Sequence, residues 1–287
     1  MNIIFDATGG IGKNIAATVI VKLIKQQHHN CHLTVLSSYP DIFKYNPYVD
    51  VLDSIENRKE YFEKGHNYDK ILVVDPYHHS DLITKKKHLI EAWADLYNLE
   101  YNDEKPDLYL PDEIYAECQA FEEFEKKKPI MVIQPNGGTK TELYNYNWSR
   151  DIPAVFVNKI IEKYKDEYDI YHIKGPKQRI SYDNTITADG DVLSIAQLLL
   201  KSDKRILIDS FAQHMAAALN LPSTVCWVTT SPKEFGYDIH NNVIRNDYEI
   251  PLPYTCYEGF NLIELVLNMP YKSSKNIFNE KQILNNI

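Results

Sequence analysis

The sequence predicts an α/β protein made of two parallel-sheet domains, one after the other, facing a cleft. Three observations lead there. Short apolar runs alternate with amphipathic helical segments, the pattern of a parallel sheet with crossover helices. The alternation occurs twice, on either side of the charged stretch Lys126-Lys127-Lys128-Pro129. A chain of 287 residues also exceeds what one small core organises. The expected boundaries are 1–126 for a Rossmann-like N-terminal domain, 127–270 for a Rossmann-like C-terminal domain and 271–287 for a peripheral tail rich in Asn and Lys.

In the first block, strands are expected over 2–7, 32–36, 49–52 and 70–75. Helical periodicity marks 14–27 and 55–64, with a long helix over 82–96. Residues 102–111 read as extended and proline-bounded, and a charged helix over 112–128 leads to Pro129. The second block reads as strand 130–134, helix 153–164, strand 170–174, helix 193–201, strand 205–209, helix 211–219 and strand 224–228.

Composition narrows the function. A hydrophobic content of 44% with 25% charged residues is that of a globular protein, which sets disorder aside. The net charge of −9 argues against a general nucleic-acid binder, because phosphate-backbone affinity needs surplus Lys and Arg. Cys31, Cys118, Cys226 and Cys256 show no CxxC spacing, so reduced thiols in a cytoplasmic protein are expected rather than a zinc site or disulfide framework. No apolar run approaches the roughly 20 residues of a membrane span, and the start lacks a signal-peptide pattern. The basic clusters at 85–87 and 126–128 read first as solvated faces. A peripheral contact with an anionic membrane or acceptor is the second reading.

The stretch 207–222 is the most telling. A buried strand ends in Asp209, Ser210 stands at the N-cap of a small-residue helix, and His214 falls one turn further on. An acid and a helix N-terminus at the carboxyl end of a strand are what an α/β protein uses to hold an anionic, sugar-bearing ligand. The loop Thr8-Gly9-Gly10-Ile11-Gly12-Lys13-Asn14 likewise joins a strand to a helix. A P-loop would need glycine at Ala7 and a hydroxyl at Asn14, and a dinucleotide fingerprint would need glycine at Ile15. An NAD- or ATP-dependent enzyme is therefore disfavoured, and a tight strand-to-helix turn without a ligand stands as an alternative. Asp75, which ends another strand, and His78 and His79 just after it lie where function concentrates in this fold, and each can accept a proton. With Asp81 these histidines also permit a metal. Three ligands in one short turn rarely converge without a fourth, so no metal is expected.

The segment 209–222 resembles the Asp-Ser/Thr-Gly-x-x-His-x-Ala-Ala-Ala-Leu segment of the heptosyltransferase-like glycosyltransferases, glycosyltransferase family 9, with Phe211 at the family's glycine. Gly10-Ile11-Gly12-Lys13 is similar to that family's Gly-x-Gly-Asp loop, whose aspartate is its usual candidate base; Lys13 stands there instead. The stretches 132–139 and 147–153 resemble the His-Pro-Gly-x…Lys-x-Trp-Pro pattern, with Gln134 at the histidine, Tyr146 at the lysine and Lys140 as a substitute charge. Lys174 to Gln178 resembles the Gly-Gly-x-x-Glu turn.

The resemblance implies a GT-B fold and an inverting, metal-independent transfer of heptose or a similar sugar. The donor would be a nucleotide-diphosphate sugar, the acceptor a glycan or lipid-linked molecule, and no cofactor is implied. Donor binding falls to Asn136, Gly137, Gly138, Thr139, Lys140, Gly175, Gln178, Asp209, Ser210, Phe211 and His214. Gly10 and Gly12 would face the cleft, and Asp75 or His78 would replace the base lost at Lys13. The alternative is a nucleotide-sugar-binding protein that has lost catalysis.

Overall fold

The computed structural model describes residues 1–137, 149–175, 178, 180–246 and 277–285. The first sheet contains β1 (Asn2–Ala7), β2 (His32–Ser37), β3 (Val51–Ser54) and β4 (Lys70–Leu72), in the order β3-β2-β1-β4. The second contains β5 (Ile130–Ile133), β6 (Asp169–Ile173), β7 (Ile186–Ala188), β8 (Lys204–Ile208), β9 (Thr224–Trp227) and β10 (Asn241–Ile244), in the order β10-β9-β8-β5-β6-β7. Every strand pair is parallel, so this is the predicted α/β fold.

The central strands are continuous apolar runs because helices cover both faces. Ile3, Ile4 and Phe5 of β1 are fully buried, and so are Met131 and Val132 of β5. Helix α1 (Ile11–Gln27) is apolar almost all round, with Ile15 to Val21 and Leu23-Ile24 buried. It is enclosed by the first sheet, by α4 (Leu89–Leu96) and by α8 (Phe211–Ala218) of the second unit. One apolar cluster therefore runs without interruption from Phe5 and Ile20 to Met215 and Trp227. A second cluster, on the far face of the second sheet, is built around α6 (Ala154–Tyr164).

Several expectations are corrected. The helix expected over 55–64 is α-helical only as α2 (Arg58–Glu63), after a 3-10 turn at Ile55–Asn57. The long helix over 82–96 is two, α3 (Ser80–Ile83) and α4. Lys85 takes the left-handed φ of 58°, which ends α3, and His88 caps α4 by accepting the Ile90 N–H at 3.2 Å. The break lets Lys85 reach across to Glu234 of α9 (Pro232–Phe235) at 3.8 Å. The charged helix is α-helical only as α5 (Asp112–Ala120), continues as a π turn over Phe121–Glu125, and packs on α7 (Val192–Lys201) of the second unit. Strand β4 stops at Leu72, three residues short of expectation, because only Lys70 to Leu72 pair with β1.

The tail is not peripheral over its described part. Ile277, Phe278 and Ile283 are buried, the Phe278 ring meets Phe156 edge-on at 5.9 Å, and the Lys163 Nζ donates to the Leu284 carbonyl at 2.6 Å. Ile283 and Leu284 belong to α10 (Glu280–Asn285). The surrounding Asn and Lys residues conceal this apolar set in the composition. Phe278→Ala is expected to destabilise the fold by about 3–5 kcal/mol, the range for truncating a buried aromatic. Denaturant unfolding measures it, and a change below about 0.5 kcal/mol, the surface level, contradicts the packing.

Candidate functional site

Strand order reverses at two places, between β1 and β4 in the first sheet and between β5 and β8 in the second. The carboxyl ends of strands at such switch points form the crevice where open α/β sheets bind ligands. Here the two crevices meet. A cavity of 390 Å³ is lined from the first unit by the Gly9–Lys13 turn and Asp75, and from the second by Arg150 and Asp209–Phe211. Helices α1 and α8 both begin at this cavity, so the positive ends of two helix dipoles point into it.

The turn before α1 depends on its glycines at two positions. Gly9 has φ of 125°, a conformation L side chains avoid. A Cβ on Gly12 would lie 2.7 Å from the His214 Cδ2 and 3.3 Å from the Phe211 Cα, so α1 touches α8 only because Gly12 has no side chain. Gly10 is the N-cap of α1 and has open space around it. Gly10 and Gly12 both border the cavity, and at Gly12 the two units touch.

Lys13 and Asp75, read separately in the sequence, are ion-paired. The Lys13 side chain is 9% exposed, and its ammonium lies 5.2 Å from the Trp93 ring centre and 5.9 Å from that of Tyr77. Asp75 accepts the Tyr77 N–H at 2.9 Å through Oδ1 and bonds Lys13 through Oδ2. His78 is corrected as a base candidate: it is exposed in the Pro76–His78 turn and does not line the cavity. His79 instead caps α3, accepting the Asp81 N–H at 3.2 Å.

On the second wall Asp209 is 4% exposed, and its Oδ2 has no hydrogen-bond partner among the described residues. Burial raises its pKa, against the opposing pull of the Arg150 charge. Ser210 occupies the N-cap of α8 but its side chain makes no capping bond. The cap comes from Gln134, whose Oε1 accepts the Ala212 N–H at 3.3 Å. Phe211 lines the cavity where a glycine would leave it wider. His214 faces the cavity and pairs through Nδ1 with the Tyr237 hydroxyl at 2.8 Å. Burial, with smaller contributions from His88 and His240, pushes its pKa down to about 3, so it is neutral near pH 7.

Four expected donor-site residues do not reach the cavity, because they satisfy one another. Gln178 accepts the Gly175 N–H at 2.8 Å and donates to the Gly137 carbonyl. Asp151 accepts the Gly137 N–H at 2.8 Å and the Asn136 amide at 3.0 Å, while the Tyr182 hydroxyl donates to Asn136 at 3.2 Å. The result is a staple between the ends of β5 and β6. Gly138, Thr139, Lys140, Tyr146 and Trp148 lie outside the described residues. The basic cluster at 85–87 is not a free patch: Lys85 pairs with Glu234, and Lys87 with Glu91 at 3.1 Å and Asp95 at 2.5 Å.

Sequence reasoning passed over Arg150, Tyr39 and Tyr77, which all line the cavity. Tyr77 lay inside the strand-end turn 75–80, and Arg150 lay beside the more conspicuous Trp148. Among the described residues no group of three or more His, Cys, Asp and Glu side chains is placed to hold a metal.

The E. coli ADP-heptose heptosyltransferase II superposes with a TM-score of 0.68 over 91% of this chain and 98% of its own, at 12% identity. The chain has the GT-B fold of the heptosyltransferases. A glycosyltransferase of family 9 from Veillonella parvula gives a TM-score of 0.65 over 99% of this chain and 95% of its own, at 14% identity. The E. coli heptosyltransferase WaaC with ADP gives 0.56 over 86% and 94%, at 12% identity. No protein-family model matches the chain, and no curated protein matches it in sequence. In this GT-B arrangement the cavity lies between the two units.

Two predictions follow the geometry at the joint. Gly12→Ala is expected to destabilise by about 1–3 kcal/mol, as overpacking does, because the Phe211 backbone cannot yield easily; urea unfolding at neutral pH measures it. His88, His214 and His240 surround Tyr237, and burial holds their pKa values at about 4, 3 and 4. Below the ordinary histidine value of about 6.5 the unfolded chain takes up protons that the folded chain refuses, so each histidine removes stability as pH falls towards 4, by at most about 1.4 kcal/mol per pH unit. Buried Asp209 and Glu234, with raised pKa values, act in the opposite sense. The cleaner readout is therefore differential: His240→Asn is expected to flatten the loss of Tm between pH 6.5 and 4 relative to wild type.

Proposed function

We propose that the protein is a glycosyltransferase that moves heptose or a similar sugar from a nucleotide-diphosphate donor to a glycan or lipid-linked acceptor, with inversion and without a metal. The observation that carries this reading is the meeting of two switch points and two helix N-termini on one cavity, with Asp75 on one wall and Asp209 on the other. Helix N-termini suit a diphosphate, and a strand-end carboxylate suits sugar hydroxyls. The ADP held by the E. coli enzyme WaaC makes a nucleoside diphosphate the first ligand to test.

In the proposed reaction the acceptor hydroxyl oxygen attacks the anomeric carbon from the face opposite the diphosphate. The bond from that carbon to the diphosphate oxygen breaks, and its electron pair leaves on the diphosphate. The hydroxyl proton passes to a carboxylate. Asp75 is the proposed acceptor of that proton, since a carboxylate offers about four lone-pair sites and the Tyr77 N–H and Lys13 take two. Asp209 is proposed to bond the transferred sugar or the ribose from the second unit. Positive helix ends and side chains then neutralise the departing diphosphate.

A second reading is a protein that binds nucleotide sugars without transferring them. The engagement of both Asp75 oxygens favours it, because the lysine that holds Asp75 occupies the position of the family's acid. Thermal-shift titration with ADP, GDP, UDP and their sugars, followed by donor hydrolysis and transfer assays, separates the readings. A rise in Tm with one diphosphate at about millimolar concentration is expected, and no rise with any of them removes the donor site. Asp209→Asn is expected to weaken donor binding about tenfold with the apo Tm little changed. Asp75→Asn is expected to abolish transfer while leaving donor binding intact, whereas binding without turnover in the wild type selects the second reading.

A further inference from the structure

We propose that Arg150, and not Lys13, is the side chain that takes the charge of the leaving diphosphate. The inference rests on the glycosyltransferase reading and names the residue that reading leaves open. Among the described residues, Lys13 and Arg150 are the cationic side chains lining the cavity, one from each unit.

Their surroundings differ. The Lys13 ammonium is matched by Asp75 within its own unit and lies against the Trp93 and Tyr77 rings at 5.2 and 5.9 Å. A counter-charge and two aromatic faces fix that ammonium on the first wall, as a partner for Asp75. Arg150 stands on the second wall, beside the N-terminus of α8. Its Nη1 donates to the Asp209 carbonyl at 3.5 Å, and its guanidinium packs beside Gly137, 3.7 Å from where a Cβ would be. The next residue, Asp151, ties down the Gly137 turn through its N–H and the Asn136 amide. The backbone at 150–151 is thus anchored to the end of β5, while the guanidinium projects to the end of β8.

This placement sums two positive potentials at one point. The dipole of α8 and the guanidinium both act beside Asp209 and Ser210. A guanidinium is always charged and presents a planar fork of donors that matches two phosphate oxygens, which an ammonium does not. Charge that develops on the diphosphate as the anomeric bond breaks is therefore met by a group that need not reorganise. Asp209 sits close enough to feel the same charge, so Arg150 also has a structural alternative, as the counter-ion of a buried acid. The test must separate the two roles.

Isothermal titration of the full chain with ADP, GDP and UDP, and with the nucleoside of whichever binds, does so. If the wild type binds none of the three, the glycosyltransferase reading itself fails. If one binds, Arg150→Gln is expected to weaken that diphosphate about 10- to 100-fold, the scale of a lost charged hydrogen bond, with the nucleoside affinity little changed. Arg150→Lys, which keeps the charge and loses the fork, is expected to fall in between and serves if the Gln variant does not fold. Lys13→Met is expected to weaken the diphosphate less than Arg150→Gln. Equal diphosphate affinity in wild type and Arg150→Gln overturns the proposal. So does a parallel loss of diphosphate and nucleoside binding, or a larger loss in Lys13→Met.

Discussion

Everything at the cavity depends on the approach of α1 to α8 at Gly12. Each helix starts at the carboxyl end of a strand beside a switch point, and each points its N-terminus towards the other unit. A side chain at position 12 would collide with the His214 ring and the Phe211 backbone. Without it the helices meet, the apolar cluster becomes continuous across both sheets, and two positive helix ends face one cavity. The same contact contributes to the burial of His214, and that burial lowers its pKa and keeps it neutral near pH 7.

The two walls then divide the chemistry. The first carries the Asp75–Lys13 pair, its ammonium set among aromatic rings. The second carries a buried acid, Asp209, with a guanidinium beside it. A lysine at position 13 carries no acceptor of its own. By holding a carboxylate from the turn that follows β4, it brings an acid to the same wall from a different segment.

Much of this was legible in the sequence because it is written in local patterns. The apolar runs of β1, β5 and β8 and the turns after them marked the strand ends, and the stretch from Asp209 to His214 marked the second wall. What was hidden arises from contacts distant in sequence. The pairing of Lys13 with Asp75 joins residues 62 positions apart, and nothing in either segment signals it. Gln134 stands at the histidine of the resembled pattern, and it caps a helix that begins far along the chain. Gln178, Gly175, Asn136 and Gly137 have the donors and acceptors a nucleotide would want, and the fold pairs them with each other and with Asp151 and Tyr182. The break in the helix over 82–96 is likewise a tertiary decision: local periodicity favours continuity, and a left-handed Lys85 gives it up to cross to α9.

That crossing gives the joint between the units both a charged and an apolar contact. Where it is apolar, as at the Tyr77–Phe235 ring contact, parting the units exposes hydrocarbon to water. Where it is charged, at Lys85 and Glu234, parting the units breaks an ion pair but rehydrates a carboxylate that is wholly buried, whose pKa burial has raised. The attraction lost and the hydration regained largely cancel. The apolar contacts therefore hold the two units together, and the Lys85–Glu234 pair adds little net stability to the joint.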